Sequence, residues 1–198
     1  MERVLIVAKT HMKDGACIGG ITASNKSVRL IPPGRQNHPK DTQLDVGQVW
    51  EMELKPSQIK PPHTEDVMIT QQRFVGHVKN MQETLLKRIT PWRGGPDQLF
   101  DGLLTFKDRS AYISEHATCP KVSTGFWLPN VSLLQGADPA HFVIRTNSIL
   151  LHVKYVGFAP MIDRVPANTL VRVSLARWWN RDGTTEKRCY LQISGWYL

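Results

Sequence analysis

The segment "LARWWNRDGTTEKR", Leu175 to Arg188, sets Arg177, Arg181, Lys187 and Arg188 around the adjacent indoles of Trp178 and Trp179. An exposed ring among cations is equipment for holding a single strand. Rings stack on bases at about 1–3 kcal/mol each, and the cations follow the phosphates. Neighbouring residues of a strand point to opposite faces, so one indole can enter a core while the other faces solvent. The two tryptophans either make such a stacking surface or pack against another part of the molecule.

A second cluster lies near the start, in "DGACIGGITASNKSVRLIPPG", Asp14 to Gly34. Its Gly15, Gly19 and Gly20 suggest a phosphate loop, but a P-loop needs GxxxxGK[ST], and here Gly20 is followed by Ile21. A dinucleotide fingerprint would open a helix, and the sequence continues instead as strand. These glycines are expected to let strands bend as a small barrel closes. The basic residues nearby, Lys9, Lys13, Arg29 and Arg35, are candidate phosphate contacts.

Other chemistries find little support. The seven histidines include no HExxH or HxH, and the cysteines, Cys17, Cys119 and Cys189, form no CxxC pair, so neither a metal site nor a cofactor is expected. Glu53-Leu54-Lys55 could end a PD-(D/E)xK nuclease site, but Pro96-Asp97 follows it rather than precedes it. His116-Ala117-Thr118 is a single HxT, where a two-histidine phosphoesterase needs two. No GxSxG is present. A binding protein without catalytic activity is the expectation.

Composition agrees with an acidic partner. The 198 residues carry a net charge of +8, and the pI is near 9.6, which suits nucleic acid, a nucleotide or an anionic surface. Residues 131–198 hold 8 Lys+Arg against 4 Asp+Glu, half of the excess. Unpaired cysteines suit a reducing cytoplasm. The apolar run in "MERVLIVAKT" is too short for a signal peptide, and no segment reaches the roughly 20 apolar residues of a membrane span. A cytoplasmic location is expected.

The elements that must position these residues are mostly strands. "RVLIVA", "ACIGGITA", "SVRLIP", "GQVWEMEL" and "VMITQQRFV" supply five candidates in about 75 residues, with "SNK" as a hairpin turn. "MQETLLKRI" places Met81, Leu85, Leu86 and Ile89 on one helical face, and "GPDQLFDGLLTF" has Pro96 where a helix could start. Strand texture returns in "HFVIRT", "ILLHVKYV", "LVRVSLARWW" and "KRCYLQISGWY". The pattern predicts a mainly β protein of two small OB-like Greek-key barrels, residues 1–75 and 129–198, joined by a partly helical connector over 76–128. Another type of small barrel or one larger β-sandwich would give similar runs. In an OB-fold the loops between strands one and two and between strands four and five frame the ligand surface. The Trp178–Trp179 hairpin falls at the second of these loops in the second barrel.

The order "VLIVAKT…GACIGGI…SVRLIPP" resembles the bacterial dual OB-containing domain family, whose opening strand is followed by Arg-Cys-Val-Ala-Gly-Ile and Trp-Ile-Arg-Pro-Val. The matching positions are Cys17, Ile18, Gly20 and Ile21, then Val28, Arg29, Leu30 and Pro32. "NVSLLQ", "LLHVKYVGF", "MIDRV", "LVRVSLA" and "RCYLQISGWY" follow in the family's order. Ala16 and Gly19 depart from it, the aromatic before the isoleucine–arginine pair is missing at Ser27-Val28, and the family's Thr-Asp step in the second barrel is reduced to "MID" at Met161 to Asp163. The resemblance implies two OB barrels and a nucleic-acid or nucleotide-binding role, in some members beside bacterial defence genes, with no established catalysis. Single-stranded DNA or RNA is the expected partner. The alternatives are a nucleotide-derived signal held between the barrels, a protein-interaction module of a defence complex, or a metal-dependent nuclease.

Overall fold

A computed structural model describes residues 1–34, 37–57, 60–180 and 185–198. The chain is mainly β and divides into two compact units, one of Met1–Lys60 with Thr64–Ile89, the other of Pro61–His63 with Thr90–Leu198.

Unit 1 is built from β1 (Glu2–Met12), β2 (Gly15–Thr22), β3 (Ser27–Ile31), β4 (Gln48–Pro56), β5 (Asp66–His77) and the helix α1 (Met81–Leu86). The strands close into a barrel in the order β1-β2-β3-β5-β4. All neighbours are antiparallel except β3 and β5, whose parallel register sets Arg29 opposite Asp66. Closure needs β1 to serve two partners. Glu2–Leu5 pair with β4, Val4–Met12 pair with β2, and a register shift between Ile6 and Ala8 bends the strand between them.

Glycines of β2 allow close approach at the bend and at the strand's start. A Cβ on Gly20 would stand 2.5 Å from Val4 Cγ1 on the facing strand. One on Gly15, whose φ is +140°, would stand 2.2 Å from the backbone oxygen of His38. Ala16 and His38 exchange both backbone hydrogen bonds at this point, at 2.8 and 2.9 Å. The "SNK" turn forms as expected, with Asn25 at φ 64° and its N–H donating to Thr22 O. Val4, Ile6, Ile18, Ile21, Leu30 and Met52 fill the core.

The segment read as a connector does not stand apart. Up to Ile89 it belongs to unit 1 and beyond that to unit 2. Its helix is six residues long, capped by the Asn80 side chain, which accepts from Glu83 N–H at 2.9 Å. Leu85 is its buried residue, whereas Leu86 is exposed. "GPDQLFD" forms two 3₁₀ turns across a kink, because Phe100 and Asp101 take left-handed φ values of 52° and 58°. That costs about 1–2 kcal/mol per residue. It lets the Phe100 ring enter the core, with its centroid 4.9 Å from that of Trp92.

Unit 2 continues with β6 (Trp92–Gly94), β7 (Thr105–Lys107), β8 (Ser110–Ser114), β9 (Thr124–Pro129), β10 (Leu133–Gln135), β11 (His141–Arg145), β12 (Leu150–Tyr155), β13 (Arg164–Val165), β14 (Leu170–Leu175), β15 (Trp179–Asn180) and β16 (Lys187–Tyr197). They form one large sheet in the order β13-β10-β11-β12-β16-β14-β9-β6, with β8 and β15 also pairing β16 and β7 pairing β8. The route repeats that of unit 1: β12 and β16 are parallel, as β3 and β5 are, and β14 stands where β4 does. The two roles of β1 are divided here between β9, which pairs β14, and β10, which pairs β11. Residues 130–132 link β9 to β10 in the chain, so that unit 2 is one large sheet where the sequence pattern predicts a second small barrel. Trp127, Phe142, Leu133, Val171, Val173 and Ile193 anchor the core. Gly125 lies under the Trp92 ring, so close that a Cβ there would meet Cζ3 at 2.1 Å.

Candidate nucleic-acid interface

Alternation along β16 sorts its residues. Cys189, Leu191 and Ile193 enter the core, while Arg188, Tyr190 and Gln192 are less buried on the other face. Burial pushes the Cys189 thiol up to about 12, with nearby Cys119 adding to the effect, which leaves it a core residue and a poor nucleophile. On the other face β15 pairs with the start of β16, setting Trp179 opposite Arg188 and Asn180 opposite Lys187. The Trp179 ring lies 6.0 Å from that of Tyr190, and Tyr190 lies 5.5 Å from Tyr112. Trp179 is 53% exposed at the open end of this aromatic row.

The adjacent indoles separate, with Trp178 just before β15 and Trp179 within it. Trp178 is half-buried against the unit 2 core, and its Nε1–H donates to Pro61 O at 2.9 Å. The cations separate too. Arg188 lies over the Tyr112 ring at 4.3 Å and donates to Glu186 at 2.6 Å. Hydrogen bonds from Ser114 and Arg188 hold the Glu186 carboxyl below its ordinary range. Arg177 and Lys187 are exposed.

In unit 1, Lys9 Nζ donates to Asp45 at 2.7 Å and to Thr42 O at 3.0 Å. Arg29 makes a bidentate pair with Asp66, and the two side chains retain only 19% and 10% of their exposure. Lys13 is exposed in the β1–β2 turn. Arg35 and Arg181 lie outside the described residues. The geometry therefore brings Arg177, Trp179 and Lys187 to one hairpin of unit 2, with Arg188 behind them. Lys9, Lys13 and Arg29 belong to unit 1.

Beside Trp179 the outer face of unit 2 opens into a cavity of about 350 Å³. Trp179 and Tyr190 form one wall; His141, His152 and Lys154 form another, with Gln192 between them. The sheet explains the second wall. His141 and Lys154 are direct partners across β11 and β12, and His152 lies two residues before Lys154 on the same face. Gln192 is the parallel partner of Lys154. His141 Nδ1 is 2.8 Å from Asp138 Oδ2 in the β10–β11 loop. The Ala140 N–H, donating to Asp138 at 2.9 Å, holds that carboxyl below its ordinary range, and His141 and Lys154 reinforce it.

In OB terms, β11 and β12 are strands two and three of unit 2. The loop with Asp138 joins strands one and two, and the Trp179 hairpin joins strands four and five. A family model, the dual OB-containing domain, matches residues 2–196. The chain belongs to the dual OB-containing domain family. Comparisons with curated proteins and with solved structures return no match.

OB-folds take oligonucleotides or oligosaccharides on the face of strands two and three, beneath those two loops, and in unit 2 of this dual OB chain the cavity occupies that place. The same face of unit 1 is filled. There β2 is buried along its length apart from the half-buried Cys17, and Arg29 is committed to Asp66. The hairpin was a candidate from the sequence alone; His141, His152, Lys154, Tyr190 and Gln192 join it only through the cavity they line. The outward alternation of "LLHVKY" was the available signal for His152 and Lys154. Among the described residues no three His, Cys, Asp or Glu converge as metal ligands would, and no helix is long and apolar enough to cross a membrane.

Proposed function

We propose that this chain binds single-stranded nucleic acid on the β11–β12 face of unit 2, without covalent chemistry. The observation that carries this reading is the exposed Trp179 beside a cavity on the OB ligand face. In the bound state a base stacks on Trp179, a neighbouring base or sugar enters the cavity, and Lys154, Arg177 and Lys187 follow the backbone. Stacking on an aromatic ring favours unpaired bases, whose faces are accessible. Lys9, Arg29, Arg188 and Trp178 hold the fold in this reading.

Titration of labelled oligonucleotides across a salt series tests it, because phosphate contacts make affinity fall steeply with salt. No binding at about 50 mM salt overturns it. The cavity volume also supports a second reading, a sensor of a nucleotide or nucleotide-derived signal, since small-ligand sites span about 300–1,000 Å³. A mononucleotide that binds as tightly as an oligonucleotide, with little salt dependence, would favour that reading.

A further inference from the structure

We infer that the unit 2 cavity is a subsite for a phosphomonoester-bearing nucleotide: its base lies on the Trp179 side and its terminal phosphate meets His141, His152 and Lys154. The inference rests on the reading above and names the part of the ligand that enters.

Its two walls differ in chemistry. Trp179 and Tyr190 offer aromatic surface, whereas His141, His152 and Lys154 offer nitrogen donors, and register rather than flexible loops holds those three together. Asp138 contacts His141 from the β10–β11 loop and lies outside the cavity lining. In its imidazolium form His141 keeps one N–H toward Asp138 and presents Nε2–H to a ligand, whereas the neutral ring with its proton on Nδ1 would present an acceptor there. An internal phosphodiester carries one negative charge and is flanked by sugar on both sides. A terminal phosphomonoester carries about −1.5 to −2 and presents three acceptor oxygens. Three donors on one wall match the second group better than the first. The volume, near the lower end of the small-ligand range, suits one nucleotide unit with its chain leaving past Trp179, Arg177 and Lys187.

The test uses the full chain and matched oligonucleotides carrying a 5′-phosphate, a 3′-phosphate or neither, with adenosine monophosphate as a free competitor. One phosphorylated end should bind at least about fivefold more tightly than the unphosphorylated strand, as charge-assisted contacts of this kind allow. In Lys154→Gln and His141→Asn that preference should fall to within about twofold, while Trp179→Ala weakens all three strands. Equal affinity with and without the phosphate overturns the subsite and leaves single-strand binding standing. If no oligonucleotide binds, the strand reading fails. Binding of adenosine monophosphate, lost in Lys154→Gln, would then keep the subsite with a free nucleotide as its ligand. Absence of both overturns both proposals.

Discussion

Arg29 on β3 and Asp66 on β5 stand opposite each other across the parallel seam that closes unit 1, and they form a bidentate ion pair. The planar guanidinium fork matches a carboxylate in two parallel hydrogen bonds. The side chains are largely sheltered, so removing one partner leaves a sequestered charge without its counter-ion. Arg29→Ala should lower the stability of unit 1 by about 3 kcal/mol. Urea unfolding measures the loss, and oligonucleotide affinity under folding conditions should stay within about twofold of the parent.

The two adjacent tryptophans should respond in opposite ways. Trp179→Ala removes an exposed ring, so affinity for single strands should fall by about 1–2 kcal/mol, roughly 5- to 30-fold, with the melting temperature nearly unchanged. Trp178→Ala removes a ring packed on the core and its hydrogen bond to Pro61 O. It should cost about 2–4 kcal/mol of stability. Anisotropy titration and thermal melting of both variants separate the two effects. A weaker Trp178→Ala complex with full stability would reverse the assignment.

Lys187 tests the electrostatic contribution at the hairpin. If it follows a phosphate, Lys187→Ala should reduce the slope of log affinity against log salt by about 0.7, the value for one phosphate on a single strand. An unchanged slope with unchanged affinity removes Lys187 from the interface.

Acid should weaken unit 1 through His38. Its ring is 5% exposed, and Nε2–H donates to the Leu30 carbonyl at 2.9 Å. Burial lowers its pKa below the ordinary histidine value, although the Leu30 hydrogen bond opposes the shift. The folded state therefore binds this proton less readily than the unfolded chain. The contribution is fully present above about pH 6.5 and is lost as pH falls from there through the folded-state value. Urea midpoints should drop between about pH 7.5 and 5.5, and His38→Gln should flatten that dependence.

Gly15 and Gly34 both have positive φ but should differ in their tolerance of alanine. At Gly34, where φ is +67° and nothing lies within 4 Å of an added Cβ, Gly34→Ala should cost about 1 kcal/mol. Gly15→Ala adds a clash with backbone, at 2.2 Å from His38 O, and should cost about 3 kcal/mol or more. Chemical denaturation of the two variants makes the comparison.

What could be read from the chain followed how local its cause was. Strands β1 to β5 show in alternation and turns, and the bend in β1 shows in Gly19 and Gly20 on the facing strand, because each depends on near neighbours. Trp178 and Trp179 show as an adjacent pair, but which is buried depends on where β16 and Pro61 lie. "GPDQLFD" carries a proline suited to a helix start, yet core packing of Phe100 overrides helix continuation. Arg29 looks like a contact residue until Asp66, 37 positions away, is placed opposite it. The cavity was hidden for the same reason. His141 and Lys154 meet through strand register, and they reach Tyr190 and Gln192 only through the parallel β12–β16 pairing. The segment 76–128 suggested helix through the apolar face of "MQETLLKRI", which does form α1, and through Pro96, while its strands are three to six residues long and carry little periodic signal.

The position of β16 has a consequence for synthesis. It is the strand that β8, β12, β14 and β15 all pair with, yet its last paired residue is Tyr197. Every strand of the unit 1 barrel has been made by His77, so that barrel can close while translation continues. Unit 2 cannot. Trp127 and Phe142 leave the ribosome with the surfaces that will cover them still unsynthesised. At about 5–20 residues per second, the 70 residues from Trp127 to Tyr197 take roughly 4–14 s. Through that interval the apolar side chains of β9–β12 lack the core partners that β14 and β16 supply.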